Sequence, residues 1–514
     1  MKQISNRNQR KAGVILQYLQ MAFSILINLI YTPIMLRILG KTEYGIYSLS
    51  SSIIAYLSLI SLGFGSSYIR FYSIYKKDDD QEAIKKMNGL YLIVFFVMGV
   101  VALLAGIALA ANANLFYNDT YSEKDIEIAR ILMYFLAVNM AISFPASVFT
   151  SFITAQEKFI YQKLINMGKT VIGPMASIIL LYSGYGSIGM VACTTTLSVI
   201  IDLINIVYCI KKLGMRISFK NPNFYLLKDI FVFSIFITIN QVIDQINWQT
   251  DKVILGKVVN GASVTIYSVG AQINTMFTSF STAISHVFAP KVNRIVSANE
   301  NNMDDELTNL FIRVGRIQWF VLFLILTGFI FFGQFFISKW AGEGYNNSYW
   351  VAVLLMTPAM IPLIQNVGIE IQRAKNKHQF RSIAYAIMAI LNIVISIFFA
   401  KAWGEIGTAL GTTISLIIAN GFIMNIYYHK KIGINIIKFW SSILKTFKGL
   451  IIPIISGVLI TNIFKIDSIV KFILFAGVYC IIYAVSVYFL GFNIDERKQV
   501  NAILQRRIMR RKTQ

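Results

Sequence analysis

The apolar residues of this chain fall into long runs, and the polar residues inside those runs recur at intervals of three and four. Fourteen runs have roughly the 20-residue length that a bilayer demands of a helix. They span 12–38, 44–68, 88–111, 128–154, 160–182, 187–210, 229–252, 262–287, 313–337, 349–371, 382–400, 405–428, 447–464 and 469–491. Pro33, Pro145, Pro174, Pro358, Pro362 and Pro453 lie inside them, which membrane helices tolerate because neighbours satisfy the freed backbone groups. The predicted class is an all-α polytopic membrane protein.

Three runs carry a wet face. In the seventh, Asn240, Asp244, Asn247 and Asp251 fall on one side of a helix, with Gln241 and Trp248 beside them. In the first, Gln17, Gln20, Ser24, Asn28 and Tyr31 do the same, and in the eighth Gln272, Thr275, Ser279, Thr282 and His286. Such stripes have two readings: hydrogen-bonding glue between membrane helices, or the lining of a hydrated path. Asp244 favours the path, because an ionisable group in a span is costly unless it faces a cavity or a partner. Asp251 and Lys252 fit either a site or a solvated pair at the outer interface. Arg37, Arg70 and Lys291 lie near helix ends, where they either snorkel or collect a phosphate group. Asp202 and Glu370 stand in other runs, the latter one turn before Arg373.

The chain is written twice. Leu39-Gly40-Lys41 with Ile46-Tyr47-Ser48 returns as Leu255-Gly256-Lys257 with Ile266-Tyr267-Ser268. Gly186-Ser187-Ile188-Gly189 returns as Gly404-Glu405-Ile406-Gly407, Thr194-Thr195 as Thr412-Thr413, and Lys211-Lys212-Leu213-Gly214 as Lys430-Lys431-Ile432-Gly433; Gln156 pairs with Gln372. The offsets run from 216 to 220, and six runs separate the copies, so both halves cross the membrane in the same direction. The expected architecture is two parallel six-helix lobes, 1–220 and 221–437, followed by two extra spans and a basic tail in 438–514. The linker around Phe439 and Trp440 reads as an interfacial amphipathic stretch.

Charge fixes an orientation. Of the 47 Lys and Arg residues, 37 fall on the side of the N-terminus and 10 on the other, so both termini are expected in the cytoplasm. The formal charge of +23 is thus a topology signal, and a nucleic-acid partner is not expected. At 56% hydrophobic and 14% charged, the composition agrees with a membrane protein. Arg37-Ile38-Leu39-Gly40-Lys41-Thr42 ends like a phosphate-binding loop, but Met35 stands where that loop needs glycine. Three scattered histidines and three isolated cysteines offer no metal spacing. No extramembrane loop is long enough for a catalytic domain, so neither an enzyme nor a cofactor is expected.

Tyr31-Thr32-Pro33, Arg37-Ile38-Leu39-Gly40 and Tyr44-Gly45-Ile46-Tyr47, with their counterparts Asp251-Lys252-Val253-Ile254-Leu255-Gly256 and Ile266-Tyr267-Ser268 and the helix end Gln156-Glu157-Lys158, carry a resemblance. The whole chain resembles the polysaccharide-exporting, Wzx-type flippases of the MATE/oligosaccharidyl-lipid/polysaccharide superfamily. That resemblance implies a MATE-like fold in the bacterial cytoplasmic membrane. It also implies an undecaprenyl-pyrophosphate-linked oligosaccharide as substrate, alternating access driven by an ion gradient or membrane potential, and contact with membrane lipids, a glycan polymerase and assembly proteins. The lipid II flippase of the superfamily has several cavity arginines. Here the first span offers mainly Gln and Asn, which favours a neutral or mixed glycan. The expected lining of one central cavity is Gln20, Asn28, Asn240, Asp244, Gln272 and His286, with Gln17, Arg37, Arg70, Asp251, Lys252 and Lys291 as further substrate contacts. The alternatives are an ion-coupled drug or cation antiporter of the same superfamily and a membrane glycan polymerase.

Overall fold

The computed structural model describes residues 6–61, 63–220, 224–298 and 301–502. These residues are helical almost throughout and contain no strand. In chain order the helices are α1 (Asn6–Ala55), α2 (Phe64–Lys77), α3 (Gln81–Ala111), α4 (Glu123–Ala155), α5 (Phe159–Tyr182), α6 (Gly186–Val207), α7 (Tyr225–Val258), α8 (Gly261–His286), α9 (Ala289–Ala298) and α10 (Met303–Trp340). There follow α11 (Asn346–Ile364), α12 (Val367–Ala374), α13 (Gln379–Leu416), α14 (Met424–Tyr427), α15 (Ile436–Leu444), α16 (Ile451–Ile463) and α17 (Ile469–Ser486).

Among the described residues nine helical stretches are long and apolar enough to cross a membrane, or ten when a pair bent by 48° is counted as one span. The difference from fourteen predicted runs is one of division and polarity. Leu16–Lys77 contains the first two runs, and Gln379–Ile432 the eleventh and twelfth. α7 and α8 are 34 and 26 residues long, but their polar stripes dilute their apolar character. The thirteenth run lies in the bent pair Ile436–Gly449 and Ile451–Ile463. Every predicted run therefore has a helical counterpart. Within α1 the break falls at Gly40, whose φ of 69° lies in the left-handed region that glycine enters without a Cβ penalty.

The backbone repeats along with the sequence. Gly186 and Gly404 both have φ 56°, and Gly214 and Gly433 have φ 67° and 86°. Two non-glycine residues, Glu157 and Asn376, each two residues past a helix end, have φ 57° and 54°; this register sets Gln156 against Lys375, with Gln372 inside α12. The wide π-helical turns Tyr208–Lys212 and Tyr428–Ile432 precede the paired glycines. One pair departs: Gly40 breaks its helix, whereas Gly256 lies inside α7, which ends at Val258.

The chain forms two compact units, Met1–Val269 with Tyr385–Gly411, and Gly270–Ala384 with Thr412–Gln514. In the first, α3 runs along α4, α1 packs on α5 and α7, and α6 packs on α4 and α5. An aromatic cluster of Tyr68, Tyr72, Tyr91, Phe95 and Phe152 fills part of that core. In the second, α10 is the post on which α11, α15, α16 and α17 pack. Tyr479 donates to Thr327 Oγ1 at 2.6 Å and Tyr483 to the Phe320 carbonyl at 2.8 Å. Arg316, 5% exposed, donates to both Glu496 oxygens at 2.7 Å and to the carbonyls of Ser442 and Gly491 at 2.8 and 3.1 Å. The two C-terminal spans thus share a core with α10.

Candidate functional site

In the first unit, α1 up to Gly40 has two distinct faces. Leu19, Phe23, Leu26 and Ile30 are exposed on one. At 100° per residue, Gln17, Gln20, Ser24 and Asn28 point about 120–180° away from Leu26. Gln17 is exposed, while Gln20, Ser24 and Asn28 are half-buried. Asn28 donates to Ser24 Oγ at 3.5 Å within its own helix, and Gln20 Oε1 is buried with no hydrogen-bond partner among the described residues. Arg37 is exposed near the Gly40 break.

α7 is built in the same way. Phe231, Val232 and Ile239 are exposed apolar residues, and Asp244 and Trp248 are exposed about 120–180° around the helix from Val232 and Ile239. A helix with an apolar exposed face needs no second exposed face unless something polar covers it. A carboxylate turned to hydrocarbon would cost about 2.5–3.5 kcal/mol by insertion scales. Asn240 and His286 lie in α7 and α8, but their side chains fall outside the described ones.

Other polar groups of this unit join helices. Ser48 and Ser268 hydroxyls meet at 2.7 Å. They are the same residue of the duplicated Ile-Tyr-Ser motif, so the axis relating the two copies of the motif passes close to them. Tyr56 bonds Thr250 at 2.6 Å, and Gln245 donates to Ser58 at 3.1 Å. Tyr267 donates to Asp251, which is only 2% exposed. Asp251 is therefore not part of a solvated pair; Lys252 beside it is half-buried. Arg70 is exposed, with its guanidinium 4.5 Å from the ring centre of Phe233. The serines at 48, 50, 52 and 58 lie outside the polar stripes; the sequence signals only Ser48, through its recurrence as Ser268.

In the second unit, Gln272 and Ser279 are half-buried while Thr275 is exposed. The hydroxyls of Thr275, Ser279 and Thr282 donate to carbonyls of their own helix, at 2.9, 2.9 and 3.1 Å. These three donors are satisfied locally, so the stripe of α8 is not glue through them. Lys291 is exposed on α9 and lines a pocket of 570 Å³. Glu370 pairs with Arg373 at 3.1 Å.

A family model for polysaccharide biosynthesis proteins matches residues 11–296, more than half of the chain. The chain belongs to that family. The matched region contains all twelve candidate residues, from Gln17 to Lys291. A Bacillus subtilis (strain 168) protein described as "Uncharacterized membrane protein EpsK" is 22% identical over 509 residues, covering 93% of this chain and 94% of its own length. The lipid II flippase MurJ in its inward closed conformation matches with a TM-score of 0.71 at 15% identity, over 92% of this chain and 98% of the other. An inward-facing multidrug resistance MATE family transporter of the MOP superfamily matches with a TM-score of 0.61 at 14% identity, over 80% and 96%. At such identities the likeness is one of fold. This member of the polysaccharide biosynthesis family is a multi-pass membrane protein with the fold of those transporters.

Proposed function

We propose that the protein is a flippase that carries an undecaprenyl-pyrophosphate-linked oligosaccharide from the cytoplasmic to the outer leaflet of the bacterial cytoplasmic membrane, for cell-surface polysaccharide. The observation that carries this reading is the exposed Asp244, which lies about 120–140° around α7 from the exposed Val232 and Ile239. A glycan headgroup cannot cross about 30 Å of hydrocarbon without a hydrated or hydrogen-bonding path. Gln17, Gln20 and Asn28 on α1, Asn240 and Asp244 on α7, and Gln272 and His286 on α8 would supply it. Arg37, Arg70, Asp251, Lys252 and Lys291 would contact the charged end or hold the walls. The lipid tail stays in the bilayer while two six-helix lobes, 1–220 and 221–437, alternate, driven by an ion gradient or the membrane potential. The family membership and the lipid II flippase fold support this reading. In its favour over a drug antiporter, the hydrophobic pattern of the sequence gives fourteen spans, two beyond twelve.

The test is deletion of the gene in its host, followed by localisation of the lipid-linked glycan. Build-up on the cytoplasmic leaflet, restored by wild type but not by Asp244→Ala at equal level, is expected. Normal glycan export together with new sensitivity to cationic drugs would move the assignment to an antiporter.

A further inference from the structure

α9 is a ten-residue amphipathic helix. Val292 and Ile295 are buried beneath it, while Lys291 and Arg294 are exposed. Where it meets the start of α10, Lys291, Arg294, Asn302, Glu306, Asn309 and Arg313 supply the polar wall of the 570 Å³ pocket, a size typical of small-ligand clefts. Three cations thus stand against one carboxylate. Among the described residues Lys291 and Arg294 form no ion pair, and Arg313 donates one hydrogen bond, to Gln499 Oε1 at 2.8 Å. All three cations are exposed, so solvent screens their mutual repulsion, and their convergence on one concavity makes it attractive to an anion.

The duplication supplies an internal comparison. The first half has its own cavity, of 260 Å³, where α2 ends and α3 begins. The residues capping α3 and α10 are Asp80 and Asn302, 222 positions apart. The first cavity is lined by Tyr75, Asp80, Glu82 and Lys86, two carboxylates against one cation. Parallel repeats put both cavities on the same side of the membrane. Both segments carry positive charge, five Lys and Arg residues in 70–86 and three in 291–313, yet only the second cavity is lined with an excess of cations. That asymmetry calls for a ligand.

We propose that the α9–α10 pocket binds the diphosphate of a lipid headgroup, on the face that the charge bias assigns to the cytoplasm. A diphosphate brings two or three negative charges to a lining with an excess of two cations, whereas a phosphodiester phospholipid brings one. Two guanidinium groups suit paired phosphate oxygens, and the Asn302 and Asn309 amides can donate to the remaining oxygens or to the first sugar. The pocket would hold the headgroup before it reaches the polar path. The nature of the lipid rests on the flippase reading; the diphosphate chemistry rests on the pocket.

The experiment measures equilibrium binding of radiolabelled undecaprenyl diphosphate to the full chain in phosphatidylcholine nanodiscs. Unlabelled inorganic pyrophosphate, inorganic phosphate and phosphatidylglycerol serve as competitors. The double variant Arg294→Gln/Arg313→Gln is expected to bind about tenfold or more weakly, since each loses a charge-assisted contact. Lys291→Gln is expected to weaken binding less, and stands in if the double variant does not fold. Lys86→Gln, in the acidic counterpart, should leave binding unchanged. Competition by pyrophosphate at concentrations where phosphatidylglycerol is inert supports a headgroup site, and competition by inorganic phosphate at the same concentration as pyrophosphate would overturn the diphosphate assignment. Equal binding by wild type and both pocket variants, or equal competition by phosphatidylglycerol, would overturn the site and leave the transport reading intact. Pocket-dependent binding in a chain whose deletion does not disturb glycan export would do the reverse.

Discussion

Arg316 shows how much one buried cation can hold. Its guanidinium joins α10 to Ser442 on α15 and to Gly491 and Glu496 beyond α17, with side chains 6% and 13% exposed. Removing one partner of a buried pair strands the other charge and costs about 3–5 kcal/mol. Arg316→Met should therefore lower the detergent-solubilised Tm well below that of Glu496→Gln, which keeps a hydrogen-bonding oxygen. Equal Tm values would show the latch to be dispensable. Tyr267→Phe and Asp244→Asn separate the two kinds of polar residue in the stripes. Tyr267→Phe removes a donor from the buried Asp251 and should cost about 1–3 kcal/mol of stability. Asp244→Asn keeps the size of an exposed side chain and one hydrogen-bonding oxygen and should cost less stability than Tyr267→Phe, while export falls sharply. A reversed pattern, with stability lost at 244 and export lost at 267, would exchange their roles.

At the scale of the helix, the sequence pattern was most informative where hydrophobicity was continuous and least where backbone geometry decided the outcome. The runs at 88–111 and 128–154 lie within α3 and α4. The first run and the first half of the second instead share α1, broken at Gly40, with the rest of the second run reaching α2, and the tenth is divided between α11 and α12 after Pro358 and Pro362. Periodicity located the stripes but could not sort them. Ser279 and Ser48 are both serines on helical spacing, yet one is satisfied by its own helix and the other by Ser268. Only the identity of the neighbour distinguishes lining from glue, and that is a tertiary fact. The contact between α1 and the start of α8 is such a fact: a Cβ on Gly45 would stand 2.1 Å from the Gly261 carbonyl oxygen. Backbone, not a flexible side chain, blocks it, so Gly45→Ala must move one helix and should cost about 1–3 kcal/mol, read as a lower Tm. An unchanged Tm would mean that the two helices separate without loss.

For the whole molecule, the duplicated sequence and the Lys/Arg bias were legible without coordinates, because both follow from rules that act along the entire chain. The basic α9–α10 pocket was not. Lys291 is visible in the sequence as a helix-end cation, but Arg313 lies on a different helix and joins it and Arg294 only in the folded chain. Orientation remains the largest consequence of the charge bias and has a direct test. With Cys193, Cys209 and Cys480 replaced by Ala, Lys228→Cys and Lys465→Cys place single thiols at exposed positions in segments assigned to opposite sides. Lys465 belongs to the short α16–α17 connection, where Asp467 and Lys471 pair at 2.9 Å and that cation holds the Asp467 carboxyl below its usual range. A membrane-impermeant maleimide on intact cells should label position 465 and spare 228, with labelling at 228 appearing only after permeabilisation. The parallel repeat makes the result strict: reversing one half while the other stays fixed would require an odd number of spans between the copies. Labelling of 228 in intact cells would invert the whole chain and put the basic pocket on the outer face, where a lipid substrate assembled inside could not load.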